Sequence, residues 1–264
     1  MSLIYVPSGR AREYAALACN IYTGCDHECI YCYAPSATFK ERADFIVSKP
    51  RADFVKKLDK EAASWIGERG QVLISFTCDP YQHLDTKYFT TRRTIETLHN
   101  HGFSICVLTK GGSRALRDLD LFCPGDAFAT TLTLLSPEHS AHWEPEAALP
   151  ADRIEAIKQF HIAGIPTWVS LEPVINPASA LEIIRQTHEF VDLYKVGKLN
   201  QQGQALPEAN ALAKKIDWRA FGLSAIQLLE SLGYRRQTEP DAVKSANSVD
   251  RQYYIKNDLK ALLL

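Results

Sequence analysis

Long apolar runs are missing from this sequence: no stretch approaches roughly eighteen residues, and no charged-then-apolar leader opens the chain. Membrane spanning and secretion are therefore disfavoured, and a cytoplasmic location is expected. Net charge is also scarce. At −1 it gives no global electrostatic case for nucleic acid, although a local basic face remains compatible with it. Low-complexity tracts and fixed-period repeats are absent, which argues against solenoids and arrays. No Gly-x-Gly-x-x-Gly follows a strand-like run, so a doubly wound dinucleotide fold lacks its phosphate loop. What remains is a chain of 264 residues, 46% hydrophobic and 23% charged, ample for one large core.

Cysteine is well represented, with seven residues, and three of them crowd into Cys25-Asp26-His27-Glu28-Cys29-Ile30-Tyr31-Cys32. In a chain without a leader, seven thiols suit a reducing compartment. A [4Fe-4S] cluster takes one thiolate per protein-held iron, so three close cysteines without a fourth leave one iron open to another ligand. Structural zinc is the competing reading, but it wants four ligands, and only His27 is near enough to complete the set. Placed between the first two cysteines, it would make a cramped chelate. Reduced core thiols or a disulfide are the plainest alternative.

The Cys-x3-Cys-x-Tyr-Cys spacing resembles the signature of the radical SAM superfamily. The flanks Asn20-Ile-Tyr-Thr-Gly-Cys and Tyr31-Cys32-Tyr33 resemble its spore photoproduct lyase-like branch. That resemblance implies a [4Fe-4S] cluster held by Cys25, Cys29 and Cys32, with S-adenosylmethionine (SAM) on the fourth iron. It also implies reductive cleavage to a 5′-deoxyadenosyl radical that abstracts hydrogen from a substrate, in a lyase-like or other radical transformation.

Along the chain, strand-like and helix-like segments alternate. Strands are predicted over 14–21, 71–77, 104–108, 126–135, 166–171 and 192–196, with helices over 50–66, 90–102, 113–122, 151–163 and 178–190. Residues 1–13 read as an irregular approach. Six strands with intervening helices predict an α/β fold, a partial (β/α)6 radical SAM barrel over 1–200, with function at the carboxyl ends of the strands. Residues 201–264 are expected to form a helical C-terminal extension packed on it as one structural unit. It comprises helices over 207–215 and 221–232, a polar turn over 238–250 and a last helix over 253–264.

Carried over by position, the resemblance implies that Tyr31 lies beside the adenine and that 75–79, with Thr77, Cys78 or Asp79, meets the methionyl ammonium in place of an absent Gly-Gly-Glu. It implies that Lys110, in the pair Thr109-Lys110, meets the methionyl carboxylate. Thr131 and Thr133 are placed near the ribose, and Ser170 and Glu172 near the adenosine. The branch's thiol hydrogen donor falls on Phe76, leaving Cys78 as the nearest sulfur, with Tyr31 and Tyr33 retained as the tyrosines beside the third cluster cysteine that assist it. Arg10 and Arg12, Arg114 and Arg117 with Asp118, and Lys195 and Lys198 are further candidates for substrate contact. The implied partners are a reducing electron donor such as flavodoxin or ferredoxin, and a nucleotide or nucleic acid as substrate; the chain is expected to be a monomer. A non-catalytic, metal-stabilised nucleic-acid-binding or maturation module is the reading from another class.

Overall fold

The computed structural model describes residues 2–199, 207–239 and 250–264. Among the described residues there are eleven strands: β1 (Ile4–Tyr5), β2 (Leu17–Cys19), β3 (Tyr22–Thr23), β4 (Lys49–Pro50), β5 (Gln71–Ile74), β6 (Ser104–Thr109), β7 (Ala127–Thr131), β8 (Thr167–Leu171), β9 (Leu193–Val196), β10 (Arg235–Arg236) and β11 (Gln252–Ile255). Nine form one sheet in the order β1-β2-β5-β6-β7-β8-β9-β11-β10, and β3 pairs with β4 apart from it. Only β1 is antiparallel in the main sheet, so the other strands share one carboxyl edge.

The central strands β5 to β9 are short runs largely buried on both faces, as a parallel sheet covered by helices requires. Period-two alternation divides them into two packing layers. Val72 and Ile74, Ile105 and Val107, Phe128, Val169 and Leu171 pack outward into the helical layer. Leu73, Cys106, Ala127, Ala129, Trp168 and Leu193 form a second cluster on the opposite, inner face. Small residues on β7 leave room there for the Trp168 indole, whose Nε1–H donates to Cys106 Sγ at 3.1 Å. The helices follow from spacing: Phe54, Leu58 and Ala62 are the buried stripe of helix Phe54–Ala63.

The six strands read from the sequence all exist as β2 and β5 to β9, in the alternating, mostly parallel α/β architecture expected of them. Three local expectations fail. Residues 4–5, read as irregular, pair antiparallel with β2, their backbone held by Glu61, whose Oε1 accepts from Leu3 N at 2.9 Å and Ile4 N at 2.8 Å. The strand predicted to 135 ends at Thr131. The helix predicted over 253–264 is instead β11 followed by the short helix Asn257–Lys260. In that segment the Tyr253-Tyr254-Ile255 run, aromatic and β-branched, pairs parallel with β9, and all three are buried. Helices Pro207–Ala213 and Trp218–Ser231 form near where they were expected. Residue 200 and most of the predicted 238–250 turn lie outside the described residues.

Candidate active site

Loops at the carboxyl edge of the sheet enclose a cavity of about 380 Å³, within the range of small-ligand sites. The thiol loop leaves β2 through β3 and is fixed from three sides. Cys25 N donates to Phe45 O at 3.0 Å, and Ile30 N to Trp143 O at 2.9 Å. The Asp26 carboxylate accepts from His83 N and Leu84 N, each at 3.1 Å. Asn20 joins the β2 and β5 exits. Its Oδ1 accepts from Phe76 N at 2.8 Å and Thr77 N at 2.9 Å, and its Nδ2 donates to Tyr5 Oη at 2.8 Å. Asn20→Ala strands two backbone donors at once, so urea denaturation should show a loss of about 2 kcal/mol.

Gly24 is required twice over. Its φ is +84°, and a Cβ there would stand 2.3 Å from Phe45 O, the acceptor that anchors Cys25. Gly24→Ala should therefore displace the loop and lower the thermal midpoint in a melting experiment.

Cys25, Cys29 and Cys32 all line the cavity, and all three also line a smaller pocket beneath the loop. Burial pushes the thiols of Cys25 and Cys32 up and that of Cys29 to about 12, so they are protonated until a metal displaces the protons. The three sulfurs do not all lie within 4.8 Å of one another. A single tetrahedral zinc would draw its thiolates to about 3.8 Å apart; a cluster that gives each thiolate its own iron spreads them further.

His27 is unsuited as a fourth ligand. Its Nε2 lies 3.0 Å from Arg114 Nη2, which can only donate, so Nε2 accepts and the proton sits on Nδ1, 3.5 Å from Asp79 Oδ2. Burial, reinforced by Arg114 and Lys110, keeps the imidazole neutral against the pull of Asp79. The donor set therefore fits an iron–sulfur cluster better than structural zinc.

The remaining predicted residues divide by whether their polar groups are already engaged. Lys110 reaches the cavity from the end of β6, its Nζ 5.6 Å from the Tyr31 ring centroid. Burial opposes its charge, but Cys29 and Glu144 outweigh burial and hold the ammonium above the ordinary lysine range. Among the described residues the Lys110 ammonium and the hydroxyls of Thr77 and Thr131 make no hydrogen bond, and all three residues line the cavity. Thr131 faces inward by strand parity with Ala127 and Ala129.

Asp79 also lines the cavity, but it staples its own loop: Oδ1 accepts from Thr109 Oγ1 at 2.6 Å and Tyr81 N at 2.9 Å, and Oδ2 from Lys110 N at 2.7 Å. Cys78 Sγ accepts from Tyr22 N at 3.4 Å and lies 3.3 Å from Ser75 Oγ. Tyr33 donates to Phe76 O at 3.1 Å. Ser170 meets Tyr14 Oη at 2.9 Å, and Glu172 accepts from Tyr14 at 2.6 Å and from Arg10 at 3.2 Å while also pairing with Lys256. Thr133 is the exception: it is buried, outside the cavity lining, with no partner for its hydroxyl among the described residues. The resemblance paired it with Thr131, but two residues share a face only while the chain stays extended, and β7 stops at Thr131.

Several cationic candidates prove to be braces. Arg12 donates to Ala16 O, Arg114 Nε to Tyr81 O, and Arg117 pairs with Asp85 and Asp118. Lys195 points into the inner layer, donating to Glu13 O and Tyr14 O at 3.0 Å.

Sequence reasoning missed a buried pair behind Tyr31. Glu144 accepts from Tyr31 Oη and pairs with Arg153 at 2.6 Å, both side chains at most 1% exposed. Burial opposes the Glu144 charge, yet Arg153 and Lys110 hold its carboxyl below the usual range. Tyr14 and Lys256 were missed as well. No local signal marks these, because Tyr31 and Glu144 meet across 113 positions, Tyr14 and Glu172 across 158, and Lys256 and Glu172 across 84.

Among known proteins, an uncharacterized protein of Methanocaldococcus jannaschii is 26% identical over 189 residues, 69% of each chain. One of Mycobacterium tuberculosis is 29% identical over 168 residues, 59% of this chain and 48% of that protein, so this chain spans about half the length of its mycobacterial relative. A variant of spore photoproduct lyase with bound AdoMet and dinucleoside spore photoproduct shares the fold with a TM-score of 0.63 at 13% identity, covering 92% of this chain and 76% of that one. Streptococcus suis SuiB bound to S-adenosylmethionine shares it with a TM-score of 0.55 at 13% identity, over 80% and 46%. The radical SAM superfamily model matches residues 19–191, most of the chain, and with the thiol loop at the carboxyl edge of its sheet the chain belongs to that superfamily.

Proposed function

We propose that the protein is an enzyme that holds a [4Fe-4S] cluster on Cys25, Cys29 and Cys32 and binds SAM against it in the cavity. One observation carries the reading: three thiols share a cavity with three polar groups that make no hydrogen bond among the described residues, Thr77, Lys110 and Thr131, set on the adjacent ends of β5, β6 and β7. When bound, the pair would supply one-electron cleavage of the sulfonium to methionine and a 5′-deoxyadenosyl radical. Lys110 would take the methionyl carboxylate, the Thr77 hydroxyl with neighbouring carbonyls the ammonium, and Thr131 the ribose. Asp79, with its oxygens already committed to the loop, would hold the site in shape. Tyr31, locked by Glu144, would present its ring to the adenine, and Ser170 and Glu172 would line the adenosine side.

For the substrate we propose a nucleotide or a nucleic-acid component, supported by the shared fold with a lyase solved around a dinucleoside. A base in duplex would have to leave its stack to reach this cavity. The Cys78 sulfur is the candidate hydrogen donor, with Tyr33 anchored beside it. A flavodoxin or ferredoxin would supply the electron in a cytoplasmic setting; all seven cysteines are free thiols. Among the described residues, no helix is long and apolar enough to cross a membrane.

The test is anaerobic reconstitution followed by dithionite and SAM. About four irons and four sulfides per chain with formation of 5′-deoxyadenosine are expected. Stable zinc with no charge-transfer absorbance would overturn the reading.

A further inference from the structure

We propose that His99, Cys123 and Asp126 form a second metal site, for a single zinc-class divalent ion, at the edge of the sheet opposite the cavity. His99 lies in the last turn of helix Thr90–Asn100, which leads into β6, and Asp126 immediately precedes β7. Both therefore sit at amino ends of strands, away from the thiol loop.

Chain geometry brings the three together. Cys123-Pro124-Gly125-Asp126 is a tight turn closed by Asp126 N donating to Cys123 O at 3.0 Å, with Gly125 at φ +100°. Proline followed by a positive-φ glycine is the pattern of a type II turn. Such a turn sets its first and fourth residues side by side, and the helix end delivers the imidazole between them.

Among the described residues this is the only trio of such side chains whose ligand atoms all lie within 4.8 Å of one another. His99 Nε2 is 3.0 Å from Asp126 Oδ2 and 3.7 Å from Cys123 Sγ. Around one tetrahedral zinc the corresponding separations are about 3.4 Å and about 3.5 Å.

Carboxylate and sulfur converge on the same imidazole nitrogen. A cation at the centre satisfies all three lone pairs, with the thiol giving up its proton on binding.

The carboxylate is also held as a ligand should be. Its side chain is fully buried, Oδ1 accepts from Ile105 N at 2.7 Å, and Oδ2 from Cys123 N at 2.8 Å. Fixed backbone donors of this kind orient metal ligands. Cys123 is exposed, which leaves a fourth position open to water.

The proposal is independent of the cavity's chemistry, and its test needs no substrate. The full chain with its cluster reconstituted is incubated with zinc, dialysed against a weak chelator and analysed for metals. One zinc per chain beyond the iron is expected, held more than about a hundredfold more weakly in Cys123→Ala and His99→Gln. Asp126→Asn is avoided because that carboxylate also secures two backbone amides.

Cobalt added to the chain with Cys25, Cys29 and Cys32 all changed to alanine should give thiolate-to-cobalt charge transfer that vanishes when Cys123→Ala is added. If the triple variant does not fold, the zinc comparison between wild type and Cys123→Ala decides alone. No retained zinc, or zinc that survives both single variants, overturns the site.

Discussion

Cys29→Ala should abolish SAM cleavage: 5′-deoxyadenosine formation in the reconstituted, dithionite-reduced protein falls by on the order of a thousandfold or more. The three thiols act as one unit, because a cluster left with two protein ligands has lost both its anchorage and the distinction of its open iron. Iron content should fall in parallel. Protein stability, measured on the metal-free chain, should change far less, since the buried Cys29 sulfur, 3.9 Å from His27 O, makes little more than apolar contact with its own protein. Iron and turnover retained in Cys29→Ala would refute the assignment.

Lys110→Ala should weaken SAM binding by about 100-fold, with the cluster intact. The ammonium stands in the cavity wall, raised by Cys29 and Glu144 against its own burial and without a hydrogen bond among the described residues. A methionyl carboxylate arriving there would gain a charge-assisted bond in a partly desolvated setting. Removal of the ammonium leaves that carboxylate unpaired. Lys110→Arg should recover part of the affinity, since it keeps the charge but not the compact head. Equilibrium dialysis with SAM separates the cases: an affinity within about threefold of wild type in Lys110→Ala would exclude this role.

The thiol loop, the six-strand rhythm and the strand-end position of nearly every candidate were legible because each is a local pattern. Cysteine spacing, an apolar run of four to six residues, or a helix ending at glycine needs no knowledge of distant segments. Thr133 shows the limit of such reasoning. It shares a parity with Thr131, but parity transmits orientation only through an intact strand, and where β7 stops cannot be read from Thr-Thr-Leu-Thr. The terminal segment was misread because Tyr253 to Leu264 carries apolar residues at spacings compatible with a helix, while the free edge of β9 offered backbone partners that only the assembled sheet reveals. The Glu144–Arg153 pair and the cluster around Glu172 are tertiary by nature, made of residues that are unremarkable where they stand in the chain.

The Glu172 cluster carries a consequence for the order of folding. Arg10 pairs with Asp258, 248 positions away, and both Arg10 and Lys256, the latter from the end of β11, reach the Glu172 carboxylate. Contacts so distant along the chain carry the steepest loop-closure entropy and form late. The central strands and the thiol loop can thus settle before this latch does, so a nascent molecule would acquire its metal-holding loop first and the far wall of its cavity last.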